Sequence, residues 1–389
     1  MTDITAPSAP PQAAFRRIRW MFAFAVIGSF TAAAWDGWWH TQYAFDGFFS
    51  PPHVMAYLIA LLLGWWTLGM VLDKRLRVWF GAGVRTFLFP YPVPGALALL
   101  GGAVVLLGFA GLVLDNLWHS AFGLNETSWS VPHAMIGWAL LLLVLGFMAC
   151  RMALGTLTGG WRFVIGWLVC VMLLAAVTGP YGRNPSLALV RAEAQIPVFM
   201  QQPATQHLYR IYEAHNLTRT NPIFLLLAPL GAGMGLAFVR RMAPRPWLML
   251  GVALLISVSG DRNAAERLAQ YAPGLLENPT AYAPIPIVVL AAVYALLRAV
   301  RVPERWAWGV GGVLFALTVH NRFEMPLEVW GMAILGAPLA ILGAWAGQWL
   351  YRHAHAPTTW RSIWALAVVG VVAPSVTGVM DLAWRLTTP

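Results

Sequence analysis

Long apolar runs recur down the whole length of this chain, and they decide what it can fold into. About eleven stretches are long and apolar enough to be read as membrane-spanning helices. They lie near residues 20–39, 53–72, 94–114, 133–150, 161–178, 222–239, 246–259, 285–300, 306–320, 327–350 and 362–380. Peptide groups find no hydrogen-bonding partner in hydrocarbon, so a chain built of such runs closes its backbone bonds within each segment. The expected fold is an all-α polytopic transmembrane helix bundle. Only 10% of the residues are charged, against roughly 25% in soluble domains, which excludes an ordinary soluble enzyme. The 21 tryptophans fit the same reading, because indoles favour the membrane–water interface.

The net charge of +10 comes almost entirely from arginine, with Lys74 as the only lysine. The basic residues form short, loop-sized groups such as Arg16-Arg17-Ile18-Arg19, Lys74-Arg75-Leu76-Arg77 and Arg240-Arg241. Such groups set membrane orientation, so they are read as topology signals and nucleic acid is set aside as a partner. They place the N-terminus in the cytoplasm, and the later basic loops fall on the same inner side. The outer segments are then 40–52, 115–132, 179–221, 260–284 and 321–326.

Residues 1–19 are read as a disordered cytoplasmic N-terminus and 20–150 as a duplicated helix-hairpin metal-binding region. Residues 151–389 are read as additional transmembrane helices with outer loops 179–221 and 260–284. The first apolar run is taken as a span rather than a cleavable leader. Cys150 and Cys170 lie in or beside apolar runs and read as buried packing residues.

One internal repeat carries the chemistry. The first copy is Asp36-Gly-Trp-Trp-His40, a connection ending at Pro52, then His53; the second is Asp115-Asn-Leu-Trp-His119, a connection ending at Pro132, then His133. Asp and His four apart lie one turn apart on one helix face. Proline opens the next helix, where its missing N–H costs nothing, and sets the second His in that helix's first turn. Asp36, His40 and His53 can therefore converge from two antiparallel neighbours, and so can Asp115, His119 and His133. The topology puts both copies on the outer side. Ionisable groups at membrane depth are expensive and usually functional. A divalent cation accounts for both sets together, because it neutralises the carboxylate and uses the imidazole lone pairs. Donor chemistry alone leaves iron, zinc and copper open.

The residues themselves carry a resemblance. Asp36-Gly-Trp-Trp-His40 with Phe49-Ser-Pro-Pro-His53 resembles the first metal motif in the C subunit of the particulate methane and ammonia monooxygenases. There Asp-x-x-Trp-His is followed at the same interval by Phe-Thr-Pro-x-His. The second copy resembles that subunit's second motif, Asn-x-x-x-His with a Glu seven residues on and a His fourteen residues on. Here those positions are His119, Glu126 and His133. The family's Asn is Asp115 in this chain, so the second site carries an anionic oxygen where the family has a neutral amide. The resemblance covers about residues 20–150.

It implies a copper-dependent membrane monooxygenase in a bacterial inner membrane, with its metal sites toward the periplasm. The two triads would serve as ligands and catalytic centre, either as a pair of sites or as one dinuclear site. It also implies an apolar small-molecule substrate, surrounding lipid, and an external electron donor, a quinol being one candidate. Further subunits are implied as well, since the family's C subunit works with A and B subunits; self-association is the other option. No cupredoxin pattern of the kind carried by the family's B subunit occurs here.

Other residues are weaker candidates. Asp46 and Glu126 lie between the ligands of each copy, where either would fix the tautomer of a ligating imidazole. His320-Asn-Arg-Phe-Glu324 sits at an outer helix end and reads chiefly as an interfacial anchor. His207 and His215 lie in the long outer loop, and His353 and His355 on the inner side. Trp35, Trp38, Trp39, Phe48, Phe49, Trp118 and Trp129 are candidates both for a substrate pocket and for an aromatic belt. A membrane protein that binds or transports copper or another divalent metal without oxidase chemistry is the alternative function. It would carry polar residues across the bundle, and few occur within the spans. A b-type cytochrome would leave the aspartates without a role.

Overall fold

The computed structural model describes residues 12–42, 48–86, 88–122, 131–178, 223–243, 246–257, 285–322, 331–355, 357 and 359–387. Within these helices the side chains of His40, His119, His320 and Asp381 are outside the description. So are the whole of loops 179–221 and 260–284, including His207 and His215, and residues Asp46, Glu126 and Trp129.

The protein is all-α, and helix covers most of the described part of each apolar stretch. The first hairpin is α1 (Gln12–Gln42) and α2 (Pro51–Leu72), followed by the short α3 (Lys74–Arg77). A two-residue antiparallel bridge, Gly83–Val84 with Val93–Pro94, leads into α4 (Gly95–Gly108). A π-helical turn (Phe109–Leu114) joins α4 to α5 (Asp115–Phe122), and α6 (Val131–Ala153) completes the second hairpin. Beyond it come α7 (Gly159–Thr178), α8 (Ile223–Met242), α9 (Pro246–Ser257), α10 (Ile285–Ala299), α11 (Glu304–Arg322), α12 (Gly336–His355) and α13 (Trp360–Thr387). Among the described residues five helical segments are long and apolar enough to cross a membrane. They are Gln12–Asp36, Pro51–Leu72, Gly95–Trp118, Val131–Ala153 and Ala333–His355, and shorter apolar helices accompany them. The protein is a membrane protein on those grounds.

The N-terminal boundary differs from expectation. Residues 12–19 are helical rather than disordered, and the basic cluster forms the first turns of α1. Packing explains the extension. Ala14, Ile18, Met21, Phe22 and Ala25 recur on one face and are buried in the main core, so the tertiary contacts draw the helix back beyond the apolar run.

Two apolar cores organise the bundle. The larger is built around α6, the most enclosed of the five long segments, with α1, α2, α4 and α7 around it. The second gathers α7 to α12. Cys150 and Cys170 are both free and buried, one in each core. Near the basic ends of α8 and α10 to α12, the Glu304 carboxylate accepts from Tyr294 Oη at 3.3 Å, Trp308 Nε1 at 3.4 Å and Gln348 Nε2 at 3.1 Å. Gln348 in turn accepts from Arg241 Nη2 at 2.6 Å, so one polar strut ties α8, α10, α11 and α12.

The tightest joint is between α8 and α12, and glycine makes it. A Cβ added at Gly343 would lie 2.1 Å from the Leu230 carbonyl oxygen, and one at Gly347 would lie 2.0 Å from that of Met234. Gly343-Ala-Trp-Ala-Gly347 is thus a small-xxx-small stripe that lets two backbones touch, the usual route to helix association where no hydrophobic force drives it. Gly347→Leu is expected to lower stability in detergent by about 2 kcal/mol, since overpacking costs roughly 1–3 kcal/mol. Thermal unfolding read beside Leu342→Ala, a change on the exposed face of α12, checks this. Equal midpoints for the two variants would mean that the close approach does not hold the helices together.

Candidate metal site

Each half of the repeat is a helix end facing a helix start. Asp36 lies in the last turns of α1, with His40 one turn beyond it. Pro51 and Pro52 fill the first positions of α2, and Ser50 precedes them with its carbonyl accepting from Val54 N at 3.0 Å. His53 is therefore the third residue of its helix. The second half repeats the plan: Asp115 opens α5, His119 comes one turn on, and His133 is the third residue of α6 behind Pro132.

The structure brings the carboxylate and the distal imidazole of each copy together. Asp36 Oδ1 stands 3.2 Å from His53 Nε2, and Asp115 Oδ1 stands 3.4 Å from His133 Nδ1. Both separations exceed the roughly 2.7–2.9 Å of a charge-assisted hydrogen bond. They fit an ordinary ion pair between carboxylate and imidazole, and equally two donors sharing one cation, which at bond lengths near 2.0–2.2 Å stand roughly 2.8–3.6 Å apart. The copies are not identical, because His53 presents Nε2 and His133 presents Nδ1. Asp115 and His53 are buried, while Asp36 and His133 keep partial exposure.

Both pairs line one cavity of about 200 Å³. Its other walls are small or aliphatic: Ala33, Ala56, Gly111, Leu112 and Leu140 among them, with Tyr57 as the aromatic member. The π-turn directly before Asp115 sets the geometry of the second pair. An extra residue in a turn rotates the rest of the helix by about 100°, so a regular α-helix through Phe109–Leu114 would aim Asp115 elsewhere. That turn also brings Gly111 opposite Tyr57, where an added Cβ would lie 3.8 Å from the ring.

Among the described residues no group of three His, Cys, Asp or Glu gathers at metal-binding distance, the third donor of each motif being one of the undescribed imidazoles His40 and His119. Among the described residues, the aromatic residues singled out in the sequence do not line the cavity. Trp38 and Phe49 are exposed, as a belt residue would be, and Trp118 lines a separate surface pocket with Leu114, Leu117, Val131 and Pro132. Tyr57 escaped the sequence reading although a signal existed: it lies four residues after His53 and so shares its helix face.

His353 and His355 lie far from this cavity. His355 lines a pocket with Gly95, the first residue of α4, about 30 Å along the helical rod from Asp115 at 1.5 Å per residue. A scan against protein-family models, a search of curated proteins and a search of solved structures each find no match for the chain, so the likeness to the monooxygenase subunit rests on the two spaced motifs alone.

Proposed function

We propose that this chain is a copper-dependent membrane monooxygenase that oxidises a small or lipophilic apolar substrate with dioxygen. The observation that carries the reading is the meeting of two Asp–His pairs, from two repeated hairpins, on one largely aliphatic cavity. Asp36, His40 and His53 would hold one copper; Asp115, His119 and His133 would hold the second. Donor spacing admits a divalent cation in each pair and donor type supports one, since carboxylate and imidazole together suit copper, iron and zinc. Bound copper supplies the dioxygen activation and one-electron chemistry that side chains lack.

The chain's own residues supply the rest. The carboxylates offset the cation charge at membrane depth, where an isolated charge is costly. Pro52 and Pro132 fix the helix starts that aim His53 and His133. The aliphatic walls disfavour water and accept an apolar substrate beside the pairs. Electrons come from an external donor, with a quinol as the first candidate.

The proposed topology has eleven spans and a cytoplasmic N-terminus in a bacterial inner membrane. It is supported by the separation of charges along the helices. Arg16 and Asp36 are twenty residues apart on α1, about 30 Å, which is the thickness of the hydrocarbon core. The Asp/His end then faces the periplasm.

Elemental analysis and electron paramagnetic resonance of the purified protein test the metal reading. The wild-type protein is expected to carry copper, and His40→Ala and His119→Ala each to lose most of the metal at their own triad. Unchanged metal content in both variants would remove the proposal.

A further inference from the structure

A second large cavity lies at the other end of α1 and α2. It measures about 1280 Å³, more than the roughly 300–1,000 Å³ of pockets that take small ligands. On α1 the stripe Trp20, Phe24, Ile27 and Thr31 lines it at helical spacing; on α2 Leu58, Leu62, Trp65 and Trp66 do the same. Trp20, Ile27 and Trp65 are mostly exposed along it. The helices close on each other at Gly28, where a Cβ would lie 2.9 Å from Ile59 Cδ1. Toward the basic end they leave a groove.

The mouth is charged. Arg16 and Arg17 line it and are exposed, and Arg19 stands 5.7 Å from the Trp20 ring. The acidic residue there, Asp73, is drawn to the start of α3, where its carboxylate accepts from Arg75 N at 2.9 Å. The groove runs from Arg16 to Thr31, about 22 Å at 1.5 Å per residue. Half of a bilayer with its headgroups is about 20–22 Å. A basic mouth above an apolar trough one monolayer long has the dimensions and charge of one lipid molecule.

We propose that this groove binds one anionic phospholipid, its phosphate on Arg16 and Arg17 and its acyl chains along Phe24, Ile27, Leu58 and Leu62. Guanidinium forks match phosphate oxygens in pairs, and arginines beside a span draw anionic lipid. The site is independent of the Asp/His cavity and of any chemistry there.

Native mass spectrometry of the full-length protein, exchanged into nanodiscs of equal phosphatidylglycerol and phosphatidylcholine, tests it. The wild-type protein is expected to retain one phosphatidylglycerol at about tenfold over phosphatidylcholine. Arg16→Gln with Arg17→Gln should bring that ratio near one, and Arg361→Gln, at an exposed position on α13 outside the groove lining, should leave it alone. Ala23→Trp fills the trough with the charges intact and should abolish retention, while millimolar glycerol phosphate should not displace the lipid. Equal retention of both lipids by the wild type overturns the proposal, as does an unchanged ratio in the double variant. Retention in Ala23→Trp would mean attraction to a basic surface rather than a groove. A disulfide-linked dimer through Leu58→Cys, free of lipid, would make the groove a contact between copies of this chain.

Discussion

Replacing Asp115 by alanine is expected to weaken divalent-metal binding at the second pair by at least a hundredfold, or about 2.7 kcal/mol at 1.36 kcal/mol per decade. Changes to groups behind metal ligands already cost about 10–100-fold, and a charged ligand should cost no less. Asp115→Asn should fall between alanine and wild type, because an amide oxygen keeps the geometry without the charge. The effect on stability separates a ligand from a structural group. Asp115 is 4% exposed, and burying a carboxylate away from water is costly unless something offsets its charge. Without metal, Asp115→Leu combined with His133→Leu should therefore leave the protein as stable as before or more so, as replacements of buried ion pairs by apolar residues often do. With metal at a hundred times its dissociation constant, the wild type gains about 2.7 kcal/mol by linkage and the variant gains none at this pair. Thermal melts with and without metal decide the matter. A structural Asp115–His133 pair would show the same variant-to-wild-type difference in both conditions, and that result would end the ligand assignment.

The repeat told in advance that each aspartate meets the histidine behind the proline, for physical reasons that can be named. The Asp and His spacings are helical, and a proline at the head of the next helix fixes where the second imidazole starts. Those rules are local, and His53 and His133 duly occupy the third position of their helices. The apolar runs located the helices equally well, because burial in hydrocarbon leaves the backbone no other choice. What the sequence withheld depends on how separate helices meet. That the two pairs share one cavity comes from the packing of α1, α2, α6 and the α4–α5 rod, and no spacing within one hairpin encodes it. The π-turn at Phe109–Leu114 has no signature beyond ordinary apolar residues and glycine. The aromatic residues near the motifs were left open between pocket and belt for a related reason. Trp and Phe serve lipid interface and pocket equally well, and only the three-dimensional arrangement shows that alanine, leucine and Tyr57 line the cavity instead. The glycine stripe of α12 was present as a spacing, but its partner carbonyls on α8 lie more than a hundred residues away.

The shared cavity leads to the second large effect: the two pairs should not load independently. If round, a cavity of about 200 Å³ is roughly 7 Å across, on the scale of the roughly 3.5–4 Å separation in two-metal sites. Two unit charges about 7 Å apart repel by about 2.4 kcal/mol at an effective dielectric near 20, and the two aspartates offset only part of the charge of two divalent cations. The second cation is therefore expected to bind at least tenfold more weakly than the first. Asp36→Ala combined with His53→Ala empties one pair and relieves that repulsion. The remaining Asp115–His133 pair should then bind its single cation more tightly than the second wild-type step and no more tightly than the first, since the attraction of the Asp36 carboxylate is lost with the repulsion. Calorimetric titration of stripped wild type and of the double variant measures both numbers. Two equal steps in the wild type would mean that the pairs are electrically separate, with the cavity wall insulating them. Complete loss of binding in the double variant would mean the opposite, a single bridged centre in which each pair needs the other. Either outcome replaces the picture of two repelling cations in one chamber, whereas a split pair of steps that merges into one step tighter than the second carries it.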